Sequence, residues 1–332
     1  MIDHFRKLSL EQIADELVKP KKTLVLFHVR SDADAVGSAF ALRELLRVMG
    51  VPVYCACSEE IPERLVFLMD GAQGSVLLDD DMIIDYERIV TVDSASPSQL
   101  GSLFSRLHKD VDIMIDHHAA GGIYADNYID PTASATGEII YELAQILQRK
   151  GYIEQIPPRT LACVYAAISA DTGSFRYSNT TPKTMRIAAE LMERGVDCAA
   201  INSMLYDSKS LVQLKAEGEA MNSLCLYADG RVASVVFPHA LKKKLGAEDE
   251  HLETLIDVAR SVSGVEVAFV IKQSSEEPIF RVSMRSKEEV DVSAVCARFG
   301  GGGHKRAAGC TIEASSAEEA EKFVLAEIFK RI

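Results

Sequence analysis

Eight side chains able to bind cations or move protons stand where apolar runs end. They are His28, Asp32 and Asp34 in "HVRSDADAVGSA", Asp93 closing "RIVTVD", Asp116, His117 and His118 in "VDIMIDHHAAGGI", and Asp171 in "ISADTGSFRYSN". Taken singly each has an ordinary reading: Asp32 or Asp34 caps a helix, Asp93 caps another, His28 is a core histidine, and Asp171 turns the chain before Thr172-Gly173. Taken together, His28, Asp32, Asp34, Asp93, His117 and Asp171 supply two imidazoles and four carboxylates, enough for two divalent cations sharing bridging ligands. Without cations that many carboxylates in one place repel and take up protons. Mixed nitrogen and oxygen donors without thiolate point to Mn²⁺, with Mg²⁺, Co²⁺ or Fe²⁺ behind it, and disfavour structural zinc.

The elements that must position these groups are legible as alternating strands and helices. "TLVLF" (Thr23 to Phe27), "VPVYCAC", "RIVTVD" (Arg88 to Asp93) and "VDIMID" (Val111 to Asp116) are short apolar runs that read as strands. Val36, Ala39, Phe40, Leu46 and Met49 recur at helical spacing up to Gly50, and "GEIIYELAQILQR" and "RTLACVYAAISAD" read as helices separated by Pro157-Pro158. Continuous apolar strands between helices predict an α/β fold with a parallel sheet covered on both faces. In such sheets ligands bind beyond the carboxyl ends of the strands, where His28, Asp93 and Asp116 to His118 all lie.

Composition bounds the rest. A chain of 332 residues is expected to form two domains. The N-terminal "MIDHFRKLSLEQIADELVKPKK" reads as a first helix, not a signal peptide, and no apolar run approaches a membrane span. A cytoplasmic address follows. Seven scattered cysteines lack any C-x-x-C pair, so neither a disulfide framework nor a zinc ribbon is expected. The net charge of −13 argues against wrapping a long duplex nucleic acid, so any anionic substrate needs a local positive site.

The four segments around the chemical residues resemble, in order and spacing, the motifs of the DHH phosphoesterase family over about the first 190 residues. The resemblance implies a first metal on His28, Asp32, Asp93 and Asp171 and a second on Asp34, Asp93, His117 and Asp171. It implies that His118 faces the substrate phosphate while Asp116 orients its neighbours. Ser31 departs from the pattern, because many relatives carry proline there.

After a helical connector, "GVDCAAINSMLYDSKSLVQLKAEGEAMNSL", the runs "RVASVVF", "VEVAFVIKQ" and "PIFRVSMRS" read as strands of a smaller mixed domain. Near its end, "FGGGGHKRAAGC" lets backbone N–H groups approach an anion, and a helix beginning at "AAG" would add its positive end. Between Pro278 and Cys310 six basic residues face three acidic ones, a reversal of the chain's overall sign. This part resembles the DHHA1 domain of RecJ-like exonucleases and nano-RNases, which implies substrate contacts from Arg285, Ser286, Gly302, Gly303, His304 and Lys305. The expected domains are 1–190, a catalytic metal-binding DHH domain; 191–215, a helical linker; and 216–332, a substrate-binding DHHA1 domain.

Two metals and a compact anion pocket imply in-line hydrolysis of a phosphoester. The resemblance implies a hydrolase that degrades short RNA to mononucleotides and dephosphorylates 3′-phosphoadenosine 5′-phosphate (pAp). A linear or cyclic dinucleotide phosphodiesterase and a RecJ-like single-strand exonuclease are the enzymatic alternatives. A pyrophosphatase or polyphosphatase is opposed by the glycine-rich segment, and a non-catalytic nucleotide sensor is opposed by the complete ligand set. The partner is then a short RNA or small nucleotide and not a membrane, and a homodimer is compatible with this reading.

Overall fold

The structure, a computed structural model, describes residues 5–69, 86–207 and 209–332. The chain divides into two compact units, residues 1–208 and 209–332.

In the first unit all four expected strands form: β1 (Thr23–Leu26), β2 (Val53–Ala56), β3 (Arg88–Val92) and β4 (Ile113–Asp116). A fifth, β5 (Asp126–Ile129), completes a parallel sheet of order β2-β1-β3-β4-β5. Alternation across the pleat divides the apolar side chains. Val25, Val90, Val92, Ile113 and Ile115 join the core built by α1 (Leu10–Leu17), α2 (Ala33–Val48), α4 (Thr136–Arg149) and α5 (Pro158–Asp171). Leu24, Leu26, Ile89 and Met114 pack on the other side with Val111 and with Leu103 of α3 (Ser102–Arg106). α5 begins on Pro158, a residue pre-set for the first helical turn. α6 (Pro182–Glu193) precedes the segment expected as a connector, which is helical: α7 (Cys198–Asn202) and a π-helical turn to Asp207 lie in the first unit, and α8 (Leu211–Asn222) opens the second.

α2 and α5 lie against each other through Gly37. A Cβ at this position would stand 2.6 Å from the Cys163 carbonyl oxygen and 3.2 Å from the Ala167 Cβ. The bare backbone allows the close approach that presents the start of α2 to the sheet.

The second unit is a mixed sheet of order β10-β11-β9-β8-β7-β6, with strands β6 (Cys225–Tyr227), β7 (Val232–Phe237), β8 (Val267–Lys272), β9 (Ile279–Ser286), β10 (Gly302–His304) and β11 (Ala307–Glu313). β7 and β8 pair in parallel and the other pairs are antiparallel. Helices α9 (His239–Leu245), α10 (Leu255–Arg260), α11 (Val292–Cys296) and α12 (Ala317–Ile328) complete it. One face, carrying Phe280, Val282 and Met284 of β9 with Ala308, Cys310 and Ile312 of β11, is buried by α11 and α12. On the opposite face α8 and α10 cover β7 and β8.

The helix expected at "AAG" does not form; Ala307–Glu313 is strand β11. Its residues alternate, with Ala308, Cys310 and Ile312 buried and their neighbours outward, and all seven pair with β9. That period of two belongs to a strand. The glycine run folds back on it as an antiparallel hairpin.

Gly37→Ala is predicted to destabilise the first unit. Helix propensity alone would favour alanine by about 1 kcal/mol, but overpacking against a backbone carbonyl costs about 1–3 kcal/mol. A lower thermal unfolding midpoint is expected, and an unchanged or raised one would contradict this packing account.

Candidate metal centre

The loop after β1 is built to hold two ligand-type side chains at once. Ser31 Oγ donates to the His28 carbonyl at 2.7 Å, so a hydroxyl fastens the turn where a proline ring would have stiffened it. Asp32 is the N-cap of α2, its Oδ1 accepting from the Asp34 and Ala35 amides at 3.0 Å each. That same oxygen lies 3.7 Å from His28 Nε2, so the capping reading and the ligand reading describe one carboxylate.

Asp34 is fully buried and is held by a different helix. Its Oδ2 accepts from the Thr136 amide at 2.7 Å and its Oδ1 from the Gly137 amide at 2.9 Å, both at the start of α4, while Ser38 Oγ donates at 2.9 Å. The first amides of a helix have no partner within it and favour a negative charge. Gly137 admits this contact, since a Cβ there would meet the Ala167 Cβ at 2.4 Å.

Asp93 occupies the centre. Its backbone is left-handed at φ +53°, an unfavourable conformation for a residue with a side chain, and its amide donates to the Ile115 carbonyl at 3.0 Å. The strain directs the carboxylate so that Oδ2 lies 3.4 Å from His28 Nε2 and Oδ1 lies 3.7 Å from His117 Nε2. Thr136 Oγ1 also donates to Oδ1 at 2.9 Å. His117 Nε2 is further 3.7 Å from Asp34 Oδ2 and 3.2 Å from Asp171 Oδ2. The other nitrogen of each imidazole faces the backbone: His28 Nδ1 is 2.8 Å from the Val29 carbonyl and His117 Nδ1 is 3.3 Å from the Ala133 carbonyl. With Nδ1 donating to those carbonyls, loss of the other ring proton leaves the lone pair on Nε2, the arrangement typical of metal-binding histidine.

These separations fit cations. Ligands bonded to one divalent ion at about 2.0–2.2 Å lie roughly 3–3.6 Å from each other in tetrahedral or octahedral geometry. Two sets, His28-Asp32-Asp93 and Asp34-Asp93-His117, each bring three donor atoms within 4.8 Å of one another, and Asp93 belongs to both. Asp171 joins the second set through His117.

The electrostatics of the bare protein carry the same signature. Burial, then repulsion from Asp93 and Asp171, pushes Asp34 well above the usual carboxylate range, and burial raises Asp171 against the pull of His117. Asp93 is driven the other way: burial opposes its charge, but His28, His117 and His118 together hold it low. Burial would lower both histidines, yet the surrounding carboxylates raise His28 and push His117 up to about 11.

Asp116 and His118 stand beside this centre. Asp116 Oδ1 accepts from the His117 amide at 2.8 Å and from His118 Nδ1 at 2.7 Å, so one carboxylate orients both histidines. Burial would lower the His118 pKa, and Asp116 and Asp93 raise it instead.

Three contributors escaped the sequence reading. Thr136 and Gly137 of "TASATGEII" supply the donors to Asp34 and Asp93. Asn179 Nδ2 donates to the carbonyls of Asp171 at 3.0 Å and Ser134 at 3.1 Å, tying the end of α5 to the loop before α4. The polar ASAT stretch at a helix start was the available signal for the first two; Asn179 offered none.

In the second unit the strand register brings some of the expected substrate residues together. Arg285 lies opposite Ala307, which lies opposite His304, and Gly302 is one row further along opposite Gly309. Arg285, His304 and Gly302 therefore share one face. Ser286 and Gly303 belong to the other face: Ser286 is 2% exposed and its Oγ donates to the Val290 carbonyl at 2.6 Å. Lys305 follows β10, exposed, and its carbonyl accepts from the Val292 amide at 3.0 Å.

A parallel sheet whose strand ends gather these carboxylates and imidazoles is the architecture of the DHH phosphoesterases. Residues 22–168 match the DHH family, N-terminal domain, and residues 230–330 match the DHHA1 domain. The chain belongs to the DHH family and is a phosphoester hydrolase. It is 30% identical over 315 residues to the bifunctional oligoribonuclease and PAP phosphatase NrnA of Bacillus subtilis, covering 92% of this chain and 93% of that one. The protein of the same name from Thermus thermophilus is 28% identical over 300 residues, covering 90% of this chain and 86% of that one. An exopolyphosphatase-related protein from Bacteroides fragilis shares the fold with a TM-score of 0.86 at 22% identity, over 97% of this chain and 96% of that one. Among the described residues no helix is long and apolar enough to cross a membrane.

Metal affinity is predicted to rise with pH. Protons held by His117 and Asp34 in the bare protein must leave before a cation binds, so lower pH strengthens the competitor. Titration with Mn²⁺ should give a binding constant that increases up to about tenfold per pH unit for each proton released between pH 6 and 8. A pH-independent constant would contradict the assignment.

Proposed function

We propose that this chain uses two divalent cations, Mn²⁺ ahead of Mg²⁺ or Co²⁺, to hydrolyse short oligoribonucleotides to mononucleotides and to remove phosphate from pAp. The observation that carries this reading is the Asp93 carboxylate, whose two oxygens face two separate sets of donors. The substrate class is supported by similarity, over nearly the whole chain, to relatives named for those two activities. The parallel-sheet unit, about residues 1–190, is read as catalytic, 191–215 as linker, and 216–332 as substrate-binding.

In this reading His28, Asp32, Asp93 and Asp171 hold one cation and Asp34, Asp93, His117 and Asp171 the other. Cations held there would polarise a phosphoryl oxygen and make a water acidic enough to attack phosphorus. The protein's own part is positional and protonic. Asp93 fixes both ligand sets relative to each other, and the α4 amides keep Asp34 turned inward. Asp116 holds His118 by Nδ1, so proton donation to the leaving oxygen falls to Nε2. In the second unit Arg285, His304 and Lys305 meet a substrate phosphate, Gly302 leaves room for it, and Ser286 and Gly303 set the strand and hairpin that carry these groups.

Asp93→Asn is predicted to lower kcat on every substrate by at least about a hundredfold, measured with saturating Mn²⁺; near-wild-type turnover would overturn the shared-ligand scheme. Arg285→Ala should raise KM for RNA of two to five nucleotides about 10–100-fold, the loss of one charge-assisted hydrogen bond of about 1.5–3 kcal/mol. A small aryl phosphodiester should be spared, and an equal loss on both would contradict a binding role.

A further inference from the structure

The open half of the second sheet carries a second cationic row that the function described so far does not use. Residues paired across a sheet share a face, so the registers of β8, β9, β11 and β10 define three rows. The first is Ala268, Arg285, Ala307 and His304; the second is Val270, Ser283, Gly309 and Gly302; the third is Lys272, Arg281 and Thr311. α8 and α10 cover β7 and the Ala268 and Val270 part of β8 on this face, while Arg281, Thr311, Gly302 and His304 are exposed and Lys272, Ser283, Arg285, Ala307 and Gly309 half-buried.

Lys272 and Arg281 stand directly opposite each other, a like-charged pair that costs stability unless something negative compensates. Asp249 compensates Arg281, with Oδ2 at 2.9 Å from Nη1, and its Oδ1 takes Lys242 Nζ at 2.6 Å. The Lys272 ammonium makes no hydrogen bond or ion pair among the described residues. Burial depresses its pKa against the pull of Glu253 and Asp249, and Arg281 and Arg285 add smaller contributions in the same direction as burial.

The middle row forms a floor without bulk. Gly301 and Gly303 are required by the hairpin itself, since a Cβ would meet the Gly309 carbonyl oxygen at 2.2 Å and the Ala307 carbonyl oxygen at 2.5 Å respectively. Gly302 has no such reason: a Cβ there would meet nothing within 4 Å. An unfilled floor of Gly302, Gly309 and Ser283 between two cationic rows leaves room for the sugars and bases that separate two phosphates.

We propose that Lys272 and Arg281, with Thr311 beside them, bind a second backbone phosphate of the RNA, beyond the one met by Arg285 and His304. This rests on the reading of the chain as a short-RNA hydrolase. The rows are four residues apart, about 13 Å at ~3.3 Å per residue, longer than one nucleotide repeat. The pair therefore rewards length: a 5′-hydroxyl dinucleotide carries only the scissile phosphate and cannot use it, whereas a pentanucleotide can.

The test is steady-state kinetics of the full chain with Mn²⁺ on a 5′-hydroxyl dinucleotide and pentanucleotide, for wild type, Lys272→Met and Lys272→Arg. Wild type should show a lower KM for the pentanucleotide. Lys272→Met should raise that KM about tenfold, leave the dinucleotide within about twofold and leave kcat on both unchanged, and Lys272→Arg should restore the length dependence. If wild type cuts both RNAs and Lys272→Met changes neither KM, or raises both equally, the second phosphate site is overturned and the hydrolase reading stands. If wild type cuts neither RNA, the hydrolase reading itself fails and takes this inference with it.

Discussion

Four carboxylates, two of them fully buried, cannot be gathered around two imidazoles without a compensating charge, and the whole first unit is arranged to impose that gathering. Asp34 and Asp93 are essentially inaccessible and lie against the same histidine. In the bare protein the conflict is met by protons: Asp34 and Asp171 are raised and both histidines hold charge. Protons satisfy the site only partly, because each neutralises a single oxygen. A divalent cation addresses several donors at once, and the separations between donors match the edges of a coordination polyhedron more closely than they match hydrogen bonds.

The fold supplies this arrangement from parts that are individually ordinary. Parallel strands end on one side, so the residues after β1, β3 and β4 meet without long loops. The beginnings of α2 and α4 bring unpaired amides to Asp32 and Asp34, fixing carboxylates that would otherwise separate. Gly37 and Gly137 let α2, α4 and α5 close around them. Asp93 is among the residues with a side chain held in the left-handed region, and it is where a single carboxylate must face two ways. In the second unit α8 and α10 cover β7 and part of β8, and Arg281, Arg285 and His304 lie on the remainder of the same sheet face.

Much of this was legible from residues alone, for definable reasons. The strands carrying His28, Asp93 and Asp116 are apolar runs ended by polar turns, a pattern that buried parallel strands must show. β5 escaped because it is four residues long and includes Asp126 and Asn127, polar residues an edge strand tolerates. The glycine-rich segment was misread at its end: "AAG" looks like a helix start by composition, but the alternation of Ala308, Cys310 and Ile312 governs, and the segment pairs with β9. Thr136 and Gly137 were invisible as partners of Asp34 because the contact spans about a hundred residues and depends on helix packing. Asp32 shows that the dull and the chemical reading of a residue need not compete, since one oxygen caps a helix and faces an imidazole.

The central claim is that Asp93 joins two cation sites. Anomalous diffraction from crystals grown with Mn²⁺ tests it most directly. The account predicts two manganese peaks per chain, about 3.5–4 Å apart, one against each oxygen of Asp93. A single peak, or two that do not share Asp93, would contradict it.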